Sequence, residues 1–476
     1  MISKREFFID GRWVTPAKPH DLEVINPSNE EPCAVISLGG QSDTDAAVAA
    51  ARRAFASWSM TAKEERLALV ERILELYNAR AEEMAQAISL EMGAPIELAR
   101  TQQAPAGSWH IKNFLRAAKT FSFERMLGDH APNDRILYEP VGVCGLITPW
   151  NWPMNQVTLK VIPALLTGCT MVLKPSEIAP LSSLLFAEIV AQAGTPAGVF
   201  NLVNGDGPGV GTQLSTHPDV DMISFTGSAR AGTAISKNAA DTLKRVHLEL
   251  GGKGANIVFP DADEKAVKRG ALHCFNNSGQ SCNAPTRMLV QRDHYDQAVE
   301  IARAVADAMP VGPSNEQGRH MGPVVSQMQF DKIQGLIQKG IDEGARLVAG
   351  GPGRPEGFNR GYFVRPTVFA DVSNDMTIAR EEIFGPVLSI LPFETEEEAI
   401  AIANDTTYGL TNYVQSQNSE TRQRVARRLR SGMVEMNGQP RGAGSPFGGM
   451  KASGNGREGG VWGLEDFLEV KAVSGW

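Results

Sequence analysis

Cysteine is scarce in this chain of 476 residues: Cys33, Cys144, Cys169, Cys274 and Cys282 are odd in number and irregular in spacing. That excludes a disulfide framework and suits a reducing compartment. Long apolar runs are missing too. The most apolar stretch, residues 161–173, is interrupted by Pro163 and Gly168 and is too short to cross a bilayer, so no membrane partner is expected. Residues 1–10 carry charges but no apolar core before a cleavage site, so no signal peptide is legible and a cytoplasmic location is expected. Basic excess is absent: 46 Lys and Arg against 54 Asp and Glu leave a net charge of −8. A surface tracking phosphates is therefore unexpected, and nucleic acid is a poor partner. The arginines within residues 422–430 read as the solvated face of a helix. No G-x-S-x-G elbow, H-x-x-x-H or C-x-x-C pattern occurs, which takes most of the support from two hydrolase routes, ligands distant in sequence staying open, and no metal is expected.

What is present is an ordinary globular composition, 42% hydrophobic and 21% charged, with 47 glycines and 28 prolines. The length suggests two or three domains, and the turn residues favour an α/β chain. After a short extended start, a helix is expected from Ser42. Thr61-Ala62-Lys63-Glu64 has the form of a capping box for a second helix, with Leu67, Val70, Ile73, Leu74 and Tyr77 on one face, closed by Gly93 and Pro95. A third passes through Trp109 and Leu115. Apolar segments at 141–147, 170–173, 199–203 and 222–225 then alternate with helices. That pattern predicts a parallel sheet with ligands at the carboxyl ends of its strands. A second α/β region runs from Gly251 to about Pro446, with strands predicted at 256–259, 288–290 and 387–392 and helices at 298–308 and 329–343. The tail, 467–473, alternates like a strand whose partner lies within the chain or in another subunit.

Several short segments could carry chemistry, each with a plainer alternative. Gly207 lies in a turn, residues 205–211, that has G-x-G but Val210 where a third glycine would complete a dinucleotide fingerprint. Gly227 and Ser228 fall between a strand and a helix, where free N–H groups suit a pyrophosphate or simply make a tight turn. Lys174 and Glu177 follow a buried strand. They suit ribose hydroxyls, and the carboxylate repels a 2′-phosphate, but they also read as a helix-start pair. Cys282 follows a helix that breaks at Gly279, which presents it on a turn, whereas Cys274 reads as core. Glu249 alternates among apolar neighbours, where a raised pKa suits a general base; a surface position on an edge strand is the alternative. Asn151, between prolines and indoles, offers an amide for an oxyanion or for loop packing.

Taken in order, Pro149-Trp150-Asn151-Trp152-Pro153, Lys174-Pro175-Ser176-Glu177, Phe225-Thr226-Gly227-Ser228, Leu248-Glu249-Leu250-Gly251-Gly252-Lys253, Gly279-Gln280-Ser281-Cys282, Glu381-Glu382-Ile383-Phe384-Gly385-Pro386 and Pro446-Phe447-Gly448-Gly449 span almost the whole chain. Together they resemble the NAD(P)-dependent aldehyde dehydrogenase superfamily. The resemblance implies an α/β fold of two Rossmann-like parallel-sheet domains and a small β oligomerisation arm. A cofactor domain would occupy 1–118 and 141–250, a catalytic domain 251–446, and the arm 119–140 and 447–476, in a homodimer or homotetramer. It implies that Cys282 attacks an aldehyde, that Asn151 and the Cys282 N–H hold the oxyanion, and that Glu249 activates water to hydrolyse a thioester. NAD is the implied cofactor, with NADP less favoured. Lys174 and Glu177 would hold its adenosine ribose, Gly207, Gly227 and Ser228 its phosphate region, Trp150 and Phe384 the nicotinamide, and Glu382 the nicotinamide ribose. Trp152, Asn155, Gln156, Leu159, Asn276, Ser281, Asn283 and Phe447 would line the aldehyde tunnel. Arg441 would face a substrate carboxylate or stay a solvated loop arginine.

Three rivals remain at this level. Transfer of the acyl group to coenzyme A could dispense with Glu249. A binding protein could keep the scaffold without chemistry, and a cysteine hydrolase would need no cofactor.

Overall fold

The apolar runs become strands covered on both faces, which is why they lack a polar side. In the computed structural model, which describes residues 1–476, one seven-stranded sheet has the order Arg245–Glu249, Met222–Thr226, Val143–Ile147, Thr170–Lys174, Phe200–Leu202, Phe7–Ile9, Arg12–Val14. The first five strands are parallel and the last two are added antiparallel. Leu146 and Leu173 point to one face, with Ile162 of the helix Pro153–Thr167. Val143 and Val172 point to the other, with Ala47 and Val48 of the helix Gln41–Trp58. Each such buried aliphatic side chain contributes roughly 1.5–3 kcal/mol of transfer free energy. The register aligns the strand ends: Ile147 pairs with Lys174 and Phe225, and Thr226 with Glu249. Those ends form one rim.

A second seven-stranded sheet runs Arg346–Ala349, Thr367–Ala370, Val387–Phe393, Arg287–Gln291, Ala255–Val258, Thr411–Gln415, Met433–Met436, parallel except for its first strand. Its core gathers Leu289, Phe369, Val387 and Ile337. Two small sheets complete the fold. Ile2–Lys4, Glu31–Ser37 and Asp21–Asn26 form one, so the N-terminal start contributes to two sheets. The tail strand Leu468–Ser474 pairs antiparallel with Ala131–Pro140, which also pairs with Glu124–Gly128. The tail thus finds its partner within the chain. No helix is long and apolar enough to cross a membrane.

Three expectations need correction. The Thr61 capping box does not form: the helix Lys63–Ala79 starts after Ala62, and Thr61 Oγ1 instead donates to the Ser57 carbonyl of the preceding helix. That helix also stops before Gly93. The chain turns at Arg80 (φ −108°, ψ 20°), whose guanidinium binds Glu83 and Glu188, and a separate helix, Ala81–Met92, ends at Gly93 with φ +82°. Residues 447–465 do not join the arm sheet. Gly454 bridges to Glu249, and the helix Gly460–Glu465 packs on Ala104–Thr120 and Pro153–Thr167. Satisfying the edge strand Arg245–Glu249 draws this segment against the first sheet rather than outward.

Candidate active site

Cys282 owes its position to a distorted turn. The helix Ala266–Phe275 ends, and Asn277 (φ +53°) and Ser278 (φ +57°) both take left-handed conformations, which cost about 1 kcal/mol or more each outside glycine. Buried hydrogen bonds offset that strain. Asn277 Nδ2 donates to the Asn151 carbonyl at 3.0 Å, and Ser278 Oγ to the Gly322 carbonyl at 2.7 Å. At Gly279 (φ +72°) a Cβ would run into the Gly385 backbone, so glycine alone lets the turn seat against the loop carrying Phe384. Gln280 locks the far side, its Oε1 accepting the Val325 N–H at 2.9 Å.

The turn places Cys282 in the wall between two cavities, and Gln156 also lines both. The first, about 150 Å³, opens onto the rim of the first sheet. It is lined by Trp150, Asn151, Gly227, Ser228, Glu249, Glu382 and Phe384, together with Lys332. Trp150 and Phe384 meet edge to face at 5.5 Å, making two aromatic walls. Glu382 Oε1 accepts the Gly252 N–H at 2.9 Å, and a Cβ on Gly251 would collide with its carboxylate, so the glycine pair forms its cradle. Ser228 Oγ caps the helix Ala229–Ala240 by accepting the Ala231 N–H, while the Gly227 N–H goes to the Glu249 carbonyl. The first N–H groups of that helix, at Ala229 and Arg230, stay available to an anion. Lys174 and Glu177 stand at the end of the neighbouring strand, paired at 3.1 Å, outside this cavity. Gly207 lies outside both cavities, and its turn is closed by Asp206, which accepts the Gly209 N–H.

The second cavity, about 390 Å³, is lined by Trp152, Asn155, Leu159, Asn283, Arg441 and Phe447 among the expected residues. Ser281 supports it indirectly, accepting from Trp152 Nε1 at 2.8 Å. Asn276 does not belong there. The break after Phe275 turns its side chain outward, where it donates to Gln102 and lines a separate cleft. Arg441 is 31% exposed, pairs with Glu435 at 3.1 Å and stacks 4.7 Å over Phe447.

Charge around the sulfur is unusual. Burial, then the nearby Glu382 and Glu249 carboxylates, push the Cys282 thiol up to about 12. Burial and the neighbouring Glu458 raise Glu249 to about 7, and neither of its carboxylate oxygens has a hydrogen-bond partner. Asn151 Nδ2 gives one proton to the Gln280 carbonyl at 3.0 Å, which leaves its second amide N–H. A carboxylate, a thiol and an amide donor thus share one buried wall, an arrangement that suits acyl chemistry on sulfur.

Sequence reasoning missed four members of this surround. Lys160 and Glu458 form a fully buried ion pair at 2.6 Å beneath Glu249. Lys160, the only charged residue in the buried helix Pro153–Thr167, was the signal for it. His247 shares the strand face of Glu249 at i − 2. Burial lowers His110 to about 4, which keeps it neutral, and its Nε2 lies 2.7 Å from Asn155 Oδ1 in the second cavity.

The model of the aldehyde dehydrogenase family matches residues 13–473. A 3-succinoylsemialdehyde-pyridine dehydrogenase from Pseudomonas sp. is 53% identical over 474 residues, covering 99% of this chain and 98% of that one. The crystal structure of an aldehyde dehydrogenase from Bartonella henselae superposes with a TM-score of 0.99 at 62% identity over 100% of both chains. A mutant of aldehyde dehydrogenase C from Pseudomonas syringae, in complex with NAD+ and octanal, gives 0.97 at 50% identity, covering 99% of this chain and 96% of that one.

Proposed function

Because the chain belongs to the aldehyde dehydrogenase family, we propose that it oxidises an aldehyde to a carboxylic acid with NAD+, through a thioester on Cys282 that Glu249 helps to hydrolyse. The observation that carries this reading is the position of Cys282 between two cavities, with Glu249, Asn151 and Glu382 on the first and an aromatic-lined tunnel as the second. The first cavity fits a nicotinamide riboside end: two aromatic walls, a cradled carboxylate for hydroxyls, and a helix start for phosphate. Lys174 and Glu177, one strand over, are assigned to the adenosine ribose, and Gly207 to the phosphate region. When bound, NAD+ supplies the hydride acceptor and a positive charge near the sulfur.

The residues divide the work. A thiol raised to about 12 is not a thiolate at neutral pH, so it must surrender its proton to solvent as it attacks, which the positive charge of bound NAD+ would favour. Glu249 stays free for the later step. The free amide proton of Asn151 and the Cys282 N–H hold the resulting oxyanion. After the hydride leaves the substrate carbon, Cys282 carries a thioester. Glu249 then takes a proton from water as its oxygen attacks that carbonyl, the acid departs, and the sulfur is restored. Glu249 gives that proton up to solvent through the first cavity, while the Lys160–Glu458 pair acts on its charge, Lys160 favouring ionisation and Glu458 opposing it.

For the substrate, Glu435 already meets the charge of Arg441, so a neutral or aromatic tail is favoured over a terminal carboxylate. Trp109, Trp152 and Phe447 supply flat apolar surface, with Asn155 and Gln156 for a polar oxygen. A heteroaryl keto-aldehyde and a straight-chain aldehyde, the chemistries named for the two relatives, head the test panel. The arm sheet exposes Met126, Leu127 and Val470, and Trp476 just beyond its last strand is exposed too, apolar side chains that suit burial against a second copy in a homodimer or homotetramer.

Mixing the enzyme with NAD+ and that panel, with and without coenzyme A, tests the reading. NADH and free acid in equal amounts without coenzyme A support it. Acid formed without NAD+, or product formed only with coenzyme A, refutes it.

A further inference from the structure

Two residues before Glu249, on the same face of the same strand, stands a histidine that the chemistry above leaves unused. His247 and Glu249 are 4% and 2% exposed. His247 Nε2 lies 3.5 Å from Glu249 Oε1, and Nδ1 lies 2.6 Å from Asp466 Oδ2. Asp466 is fixed in turn, its Oδ2 accepting the Arg457 N–H at 3.0 Å. Gly456 makes room for the ring, since a Cβ there would run into the imidazole. Gly448 does the same for the carboxylate: a Cβ would sit 2.6 Å from Glu249 Oε1. An imidazole that only filled space would not face a carboxylate at each nitrogen.

We propose that His247, held by Asp466, is a positioning residue for Glu249: its cation keeps that carboxylate ionised and steady for the hydrolytic step. The inference rests on the reading of Glu249 as the water-activating base. Burial disfavours the His247 cation, but Asp466 and Glu249 outweigh burial and lift the ring to about 9, so it is charged at neutral pH. The remaining groups facing Glu249 are Glu458 from the loop before Gly460–Glu465, which opposes its ionisation, Lys160 from the helix Pro153–Thr167, which favours it, and the Cys282 thiol. With the carboxylate already raised by burial and Glu458, loss of the adjacent cation raises it further.

The test is the pH profile of the hydrolytic step, read as acid release from the acylated enzyme in quenched flow. In His247→Asn the acidic limb should move up by about one pH unit, the effect of an opposite charge at this range. The rate of the first NADH burst should change far less. Asp466→Asn, which weakens the imidazolium without emptying the site, should shift the limb in the same direction by less. It decides the matter if the histidine variant does not fold. A profile that stays in place, or falls uniformly at every pH, overturns the inference and leaves His247 a packing residue. Glu249→Gln is the control: wild-type hydrolysis in that variant removes the base itself, whereas lost hydrolysis with an unmoved His247→Asn profile removes only the inference.

Discussion

Replacing Lys160 by methionine keeps the length and most of the volume of the side chain while deleting its charge. Lys160 Nζ lies 2.6 Å from Glu458 Oε1, with the two side chains 0% and 3% exposed. The second oxygen, Glu458 Oε2, has no hydrogen-bond partner. Lys160→Met therefore strands a buried carboxylate beside Glu249, and breaking one side of a buried pair costs about 3–5 kcal/mol. Removing both charges, in Lys160→Met/Glu458→Gln, relieves most of that, because a buried pair exchanged for neutral groups is close to break-even. The double variant should thus be more stable than the single one by about 2 kcal/mol or more, a coupling that a mutant cycle isolates. Urea unfolding midpoints of wild type, both single variants and the double variant, followed by tryptophan fluorescence, provide the comparison. A Lys160→Met midpoint within about 1 kcal/mol of wild type, or a double variant no better than the single one, would show that water or a relaxed backbone already screens this pair, and the reasoning would fail.

Other outcomes follow from the same geometry. Cys282→Ala should abolish aldehyde oxidation while calorimetry still detects NAD+ binding, because the alanine leaves the first cavity's other walls in place. Since the Cys282 thiol is raised to about 12, the free enzyme should react slowly with iodoacetamide at pH 7, and faster as pH rises or NAD+ binds. Glu177→Ser removes the carboxylate beside Lys174 and should raise the kcat/KM ratio of NADP to NAD about tenfold, read from NADPH and NADH formation. Arg441→Ala should lower turnover of neutral and carboxyl-ended aldehydes alike. A loss confined to the carboxyl-ended ones would show that Arg441 breaks from Glu435 to bind substrate.

The parallel sheets were legible because strands buried on both faces leave continuous apolar runs: 141–147 was read within two residues of Val143–Ile147, and 170–173 within one of Thr170–Lys174. The N-terminal strands were not, since Ile2–Lys4 and Arg12–Val14 are three residues each and owe their existence to distant partners. Arg80 hid a helix boundary for a similar reason. Nothing local marks it, and the pairing with Glu188 that anchors it comes from 108 residues away. At the site, Cys282 and Glu249 stood out because one followed a broken helix and the other interrupted an apolar strand. Asp466 and Glu458 were invisible, as their partners are set by the segment 447–466 folding back over the first sheet. Asn276 was misplaced because the turn at Asn277 and Ser278 reverses the chain beyond what spacing conveys.

One measurement reaches the centre of the account: rapid mixing of Glu249→Gln with NAD+ and a turned-over aldehyde, with intact-mass analysis of the quenched protein. A burst of one NADH per active site, together with a mass gain equal to the acyl group on the peptide containing Cys282, is the predicted result. A variant that makes no NADH in the first turnover, or that makes it without any acyl group on Cys282, contradicts the division of labour between the sulfur and the carboxylate.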